Sequence, residues 1–261
     1  MRAKKSFGQH FLVHDDIARR IAEALSLDHS NNVLEVGPGK GMLTKFLWSH
    51  DKMNFKAVEA DWEMAEYLRN EFGDTFNENL FEKDFLKLDL NKVFDGESFS
   101  LIGNYPYNIS SQILIKTVEY RHLIPEMVGM FQKEVAQRVV SKEGSKIYGV
   151  ISLLVQAYFD CEYLFTVKKG SFNPPPKVES AVIRLKRKEN FEDLGCSYKS
   201  FRQVVKMSFG MRRKMLRNSL KSLIKDNETL KANPIFDKRP EQLSLKEFVS
   251  LTNLIFPEDV N

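Results

Sequence analysis

Between positions 103 and 110 the chain reads Gly103-Asn104-Tyr105-Pro106-Tyr107-Asn108-Ile109-Ser110, a run with hydrogen-bond acceptors and flat rings but no Asp, His or Lys. The Asn104 amide oxygen and the Pro106 carbonyl can each accept one N–H, and Tyr107 offers a face on which a flat ring can stack. Such a set grips and orients; it does not abstract a proton. A second run, Val33-Leu34-Glu35-Val36-Gly37-Pro38-Gly39-Lys40-Gly41, is a buried strand entering a glycine-rich turn that lets a ligand approach the backbone. A nucleotide-like ligand is the natural occupant. The sequence excludes two of its kinds: a P-loop needs Gly-Lys and a hydroxyl residue five positions on, and the dinucleotide fingerprint needs a third glycine where Met42 stands.

Three acidic or aromatic positions belong with that turn. Glu59 closes the next apolar run, Ala57-Val58-Glu59, where a carboxylate can accept from both hydroxyls of a ribose; alone it also reads as a surface carboxylate. Asp84 ends the run after that, placed to accept from a purine amine with Phe85 beside the ring, and equally reads as a turn cap. The form G-x-G-x-G, here Gly37, Gly39 and Gly41, resembles the first motif of the S-adenosylmethionine-dependent methyltransferases. Asn104-x-Pro106-Tyr107 resembles the signature of enzymes that methylate exocyclic amines of nucleobases. An adenine N6 amine is a weak nucleophile because its lone pair is delocalised into the ring. Two acceptors that draw it towards tetrahedral geometry, facing an already activated methyl, are what the reaction needs. Phe172, in Ser171-Phe172-Asn173-Pro174-Pro175-Pro176, offers a second stacking face; a proline turn with core aromatics is the alternative for both Tyr107 and Phe172.

These residues need a scaffold. Apolar runs predict strands over Val33–Val36, Phe55–Glu59, Asn79–Lys83, Phe99–Gly103, Met127–Phe131, Tyr158–Val167 and Ser180–Lys186. Amphipathic stretches predict helices over Met42–Ser49, Trp62–Phe72, Ser111–Tyr120 and Lys133–Ser141, while Tyr148–Gln156 fits either state. The alternation is that of an α/β sheet, parallel except for its last two strands. The character changes after Lys188, so residues 1–188 form one domain with a basic N-terminal arm and 189–261 a small all-helical one. There a break at Gly210 interrupts helical periodicity, and a last helix over Pro240–Phe248 starts at Ser244.

The net charge of +4 says little as a total, but its placement is informative. From Tyr198 to Lys225 there are nine Lys or Arg and no Asp or Glu. Lys199, Arg202, Lys206, Arg212, Arg213, Lys214 and Arg217 are therefore candidates for an RNA surface, against the alternative of a solvated helix face. Two cysteines without motif spacing, Cys161 and Cys196, disfavour a disulfide framework or a zinc site. Neither follows a proline, which argues against pyrimidine C5 chemistry. No long apolar run or secretory leader is evident, so the cytoplasm is the default compartment and no membrane contact is expected.

Over nearly its whole length the sequence resembles the small-subunit ribosomal RNA adenine dimethyltransferase family. The resemblance rests on Lys4–Leu12, Gly37–Gly41, Glu59, Asp84, Asn104–Ser110, Phe172–Ser180 and Phe209–Leu220. It implies a seven-stranded class I, Rossmann-like methyltransferase sheet. It further implies dimethylation of two adjacent adenosines in the 3′-terminal hairpin of 16S ribosomal RNA, within the pre-30S small subunit, by a monomer. Contacts to S-adenosylmethionine are implied for His10, Leu12, Gly37, Glu59, Asp84 and Asn104. Two positions depart from the pattern: His10 stands where Asn is frequent, and Tyr105 where Leu is usual. The rival readings are a large-subunit adenine methylase of the macrolide-resistance type and a non-catalytic RNA-binding assembly factor.

Overall fold

The computed structural model describes residues 10–225 and 227–259; the Lys4–Gln9 part of the opening motif lies outside the described residues. Two compact units divide the chain. One runs to Ala136 and resumes over Asp160–Arg187; the other comprises Gln137–Phe159 and the chain from Lys188 onward.

In chain order the elements are β1 (Phe11–Leu12), α1 (Asp15–Glu23), β2 (Asn32–Val36), α2 (Thr44–Trp48), β3 (Asn54–Glu59), α3 (Trp62–Phe72), α4 (Asp74–Asn77), β4 (Leu80–Glu82) and β5 (Ser100–Asn104). There follow α5 (Ser110–Glu119), β6 (Glu126–Gln132), α6 (Lys133–Val140), α7 (Val150–Gln156), β7 (Phe159–Val167), β8 (Phe172–Asn173) and β9 (Ser180–Arg187). Seven strands make one sheet in the order β4-β3-β2-β5-β6-β9-β7, each of them within a residue or two of its expected range. The pairs β2–β3, β3–β4, β2–β5 and β5–β6 are parallel, and β9 runs antiparallel to β6. Parallel strands covered on both faces are buried and mostly apolar. Thus β2 is buried from end to end, and Val33, Leu34, Leu101, Ile102 and Val128 have no measurable exposure.

The strand order turns at β2, whose neighbours β3 and β5 are reached in opposite directions along the sheet. In an open α/β sheet that switch point leaves a crevice at the carboxyl ends of the strands, where ligands bind. Gly37, Glu59 and Asn104 end or follow these three strands. In this unit α1, α4, β1 and β8 escaped the sequence reading. Helix α1 buries Ala18, Ile21 and Ala22, and β1 pairs antiparallel with β8, setting Leu12 opposite Phe172.

In the second unit α8 (Tyr198–Gly210), α9 (Leu216–Ser219), α10 (Lys221–Ile224), α11 (Glu228–Ala232) and α12 (Leu245–Ile255) carry the buried side chains Phe201, Val204, Leu216, Ile224, Leu230, Phe248 and Leu251. The expected start at Ser244 is a reciprocal cap: Glu247 N–H donates to Ser244 Oγ at 3.3 Å, and Ser244 N–H donates to Glu247 Oε2 at 2.8 Å. Pro240–Gln242 is a separate 3₁₀ turn, not part of that helix. The boundary read at 188 needs an addition, because Gln137–Phe159 belongs to this unit as well. Its ambiguous apolar run is α7, and Tyr148 donates its hydroxyl to the Leu243 carbonyl at 3.1 Å with its ring 6.0 Å from Phe209.

Candidate functional site

The turn after β2 holds Gly37, Gly39 and Gly41 at φ 68°, 56° and 74°, a region that side chains with Cβ rarely enter. A Cβ on Gly37 would meet only Pro106 Cδ, 4.0 Å away, and would otherwise project into the space the turn surrounds. Glu59, the last residue of β3, is 6% exposed. Its carboxylate accepts from Gly39 N–H at 3.1 Å and from Asp61 N–H at 3.0 Å. Burial raises its pKa above the usual carboxylate value, and these backbone hydrogen bonds oppose the rise. The acid therefore braces the glycine turn from the neighbouring strand.

Around it lies a cavity of about 360 Å³ within the first unit, the size of a small-molecule site. His10, Leu12, Gly37, Gly39, Glu59, Asp84, Phe85, Asn104, Pro106 and Tyr107 all line it. Phe172 does not. It is 3% exposed, sits in β8 opposite Leu12, and belongs to the apolar core with Val167 and Val182, so the stacking face expected of it is buried in packing. The core alternative describes that residue correctly.

Asn104 ends β5 and donates from its Nδ2 to the His10 carbonyl at 3.0 Å, which leaves Oδ1 as the atom able to accept. The Pro106 carbonyl takes the Ile109 N–H at 3.3 Å and keeps a second lone pair. Tyr107 is half-buried, its hydroxyl 2.5 Å from Ser180 Oγ and its ring 5.3 Å from that of His10. The His10 imidazole donates from Nδ1 to the Pro174 carbonyl at 2.9 Å. His10 thus fixes Asn104 through its main chain and borders Tyr107 through its ring. Tyr105, the other departure from the family pattern, points away from solvent at 1% exposure with its ring 4.9 Å from Phe131. It fills a slot over Gly129 of β6, where a Cβ would lie 1.9 Å from Tyr105 Cε2.

Asp84 is the turn cap that the sequence offered as one reading, and its position leaves the other open. It lines the cavity, and it caps the 3₁₀ turn Phe85–Lys87 by accepting from Leu86 N–H at 2.9 Å. One cavity-lining acid was missed. Glu35 in β2 also lines the cavity, is 1% exposed, and accepts from Thr44 Oγ1 at 2.7 Å. Burial pushes its pKa to about 8, so the carboxyl is largely protonated at neutral pH. The signal was a carboxylate in an otherwise apolar parallel strand.

The basic candidates lie in the second unit and differ among themselves. Lys199, Lys206, Arg213 and Lys214 are exposed. Arg212 instead donates to the Ser145 carbonyl at 3.0 Å, and Arg217 pairs with Asp237, an acid beyond the window that looked free of acids. Among the described residues no cluster of His, Cys, Asp or Glu could hold a metal ion, and no helix is long and apolar enough to cross a membrane.

A ribosomal RNA adenine dimethylase family model matches residues 1–255. The ribosomal RNA small subunit methyltransferase A of Phocaeicola vulgatus is 51% identical over 98% of this chain and 90% of its own length. That of Flavobacterium johnsoniae is 50% identical over 100% and 98%. Among solved structures, a dimethyladenosine transferase from Plasmodium falciparum superposes with TM-score 0.79 and 25% identity, over 96% of this chain and 98% of that one. The 23S rRNA methyltransferase ErmE shares the fold with TM-score 0.63 and 23% identity, over 93% and 99%.

Proposed function

This chain belongs to the ribosomal RNA adenine dimethylase family, and from that premise we propose that it methylates N6 of two adjacent adenosines in the 3′-terminal hairpin of 16S ribosomal RNA, in the pre-30S particle. It is an S-adenosylmethionine-dependent methyltransferase. The reading carries with it a monomeric enzyme working in the cytoplasm. Relatives at about half identity, both named for the small subunit, support the choice of RNA over the large-subunit rival, with which this chain shares a fold.

The cavity suits the methyl donor by its donor set. Glu59 offers a carboxylate for ribose hydroxyls, the glycine turn offers main chain without side chains in the way, and Asp84 with Phe85 offers an acceptor and a ring for a purine. When bound, S-adenosylmethionine supplies a methyl group activated by the adjoining sulfonium.

The observation that carries the acceptor side is the orientation of Asn104. Because the His10 carbonyl takes its Nδ2–H, Oδ1 is directed to accept, as the amine of an adenine requires. Asn104 Oδ1 and the free lone pair of the Pro106 carbonyl each take one N6–H, turning the nitrogen lone pair out of the ring plane. Tyr107, held at its hydroxyl by Ser180, supports the base plane. The methylated N6 cation is acidic enough to release its proton to water, so no side chain need act as a strong base. Incubating the protein and labelled donor with each purified ribosomal subunit tests this reading. Label in 16S adenosines is expected; label confined to the large subunit, or none in either, contradicts it.

A further inference from the structure

The wall formed by Asp84 and Phe85 is not part of a strand. It is a single 3₁₀ turn, Phe85–Lys87, whose internal bonds run from Lys87 and Leu88 N–H back to Asp84 and Phe85 carbonyls. The last carbonyls of such a turn, here those of Leu86 and Leu88, lack partners within it, and buried without them they would be costly. Here a single ammonium serves them. Lys116 of α5, 7% exposed, places Nζ 2.7 Å from the Phe85 carbonyl, 3.1 Å from that of Leu86 and 2.5 Å from that of Leu88. An ammonium has three donors and no acceptor, so this side chain is fully used. The same Nζ lies 5.1 Å from the Phe85 ring centroid. Burial lowers the Lys116 pKa, and the negative charge of Asp84, Asp89 and Glu119 works the other way.

The place of Lys116 in the chain matters as much as its bonds. Helix α5 begins at Ser110, directly after the Asn104–Ile109 run, so one side chain ties the element that continues the acceptor motif to the turn that lines the other side of the cavity.

We propose that Lys116 is a positioning residue for the methyl donor: it holds the Asp84–Phe85 turn in the shape that receives the donor's purine, without touching that purine itself. The inference rests on the assignment of Asp84 and Phe85 to the donor. Loss of the ammonium frees the Leu86 and Leu88 carbonyls, leaves that of Phe85 with the Leu88 N–H alone, and lets the turn move, so donor affinity falls while the acceptor grip at Asn104 stays in place.

Calorimetric titration of S-adenosylhomocysteine, without RNA, into wild type, Lys116→Met, Lys116→Arg and Asp84→Asn tests it, alongside thermal unfolding and steady-state kinetics on the small subunit. Lys116→Met is expected to weaken binding about tenfold or more and to raise the donor KM in step, with kcat at saturating donor within about twofold. Lys116→Arg, which keeps charge and donors, is expected to fall between, at about threefold. A loss of folded protein would instead lower kcat per total protein and leave KM alone. If Lys116→Met does not fold, the Arg variant carries the comparison. Donor affinity within about twofold of wild type in a folded Lys116 variant, while Asp84→Asn weakens it, overturns the proposal alone. Unchanged affinity in Asp84→Asn overturns the underlying assignment.

Discussion

The two regions that sequence marks as functional, the cavity at the carboxyl ends of β2, β3 and β5 and the basic stretch after Tyr198, turn out differently in structure. In the first, residues 20 to 70 positions apart converge because adjacent parallel strands deliver their last residues to one crevice. Gly39, Glu59 and Asn104 are held there by main-chain hydrogen bonds. In the second, nine cations within 28 residues are spread over α8, the turn after it and the short helices that follow, and some of the seven singled out are already engaged, Arg212 by a carbonyl and Arg217 by Asp237 among them. Strand order converts spacing into proximity; clustering along a helical stretch leaves some charges exposed and others engaged.

Perturbing the cavity should give large, separable effects. Asn104→Ala is expected to cost about 100-fold or more in turnover, the usual scale for one fixed polar contact to the reacting group, with donor affinity changed much less; stopped or single-turnover assays separate the two. A variant with near-normal turnover would remove Asn104 from the acceptor grip. Glu59→Gln should act on binding first, weakening the donor about 10- to 100-fold by calorimetry, because it removes a carboxylate that two backbone N–H groups hold in place. Unchanged affinity would mean that the brace serves the fold alone.

The scaffold beneath gives intermediate effects. Gly129→Ala drives a Cβ into the Tyr105 ring and should destabilise by about 1–3 kcal/mol, read from denaturant unfolding. Tyr105→Leu in the same chain should recover most of that loss; failure to recover would mean the strain lies in the backbone. Glu35 predicts a pH signature. Its folded pKa of about 8 stands above the ordinary carboxylate value of 4.5, so the folded state binds the extra proton between them. The stability it contributes is full at low pH and is lost as pH rises towards and through about 8. Glu35→Gln should flatten that fall in Tm, and an unchanged profile would place the titration elsewhere.

The smallest effects belong to the basic stretch. Neutralising Arg213 and Lys214 together should lower the salt slope of RNA binding by roughly 0.7 to 0.9 per lost phosphate contact, whereas Arg217→Gln, already paired with Asp237, should barely alter it. Equal slopes for both would erase the distinction between free and engaged cations.

The seven-stranded sheet was legible because its central strands β2, β5 and β6 are buried, mostly apolar runs with clear ends. The glycine turn, Glu59 and Asn104 were legible because they sit at those ends. Phe172 was misplaced for a different reason: β1 and β8 are two residues long, too short to leave a pattern, and their pairing is what buries its ring. Glu35 was passed over because its place at the cavity and its raised pKa depend on burial, not on spacing. The engagement of Arg217 depends on Asp237, 20 positions away across several turns that no periodicity announces. What sequence hides here is the long-range partner, and what it shows is the strand end.

The most direct test is a crystal structure with S-adenosylhomocysteine and an adenosine in the cavity. N6 should lie at hydrogen-bond distance, about 2.7–3.2 Å, from both Asn104 Oδ1 and the Pro106 carbonyl, with the base plane against Tyr107. An adenosine whose N6 instead faces a carboxylate, or stands clear of Asn104, would contradict the account.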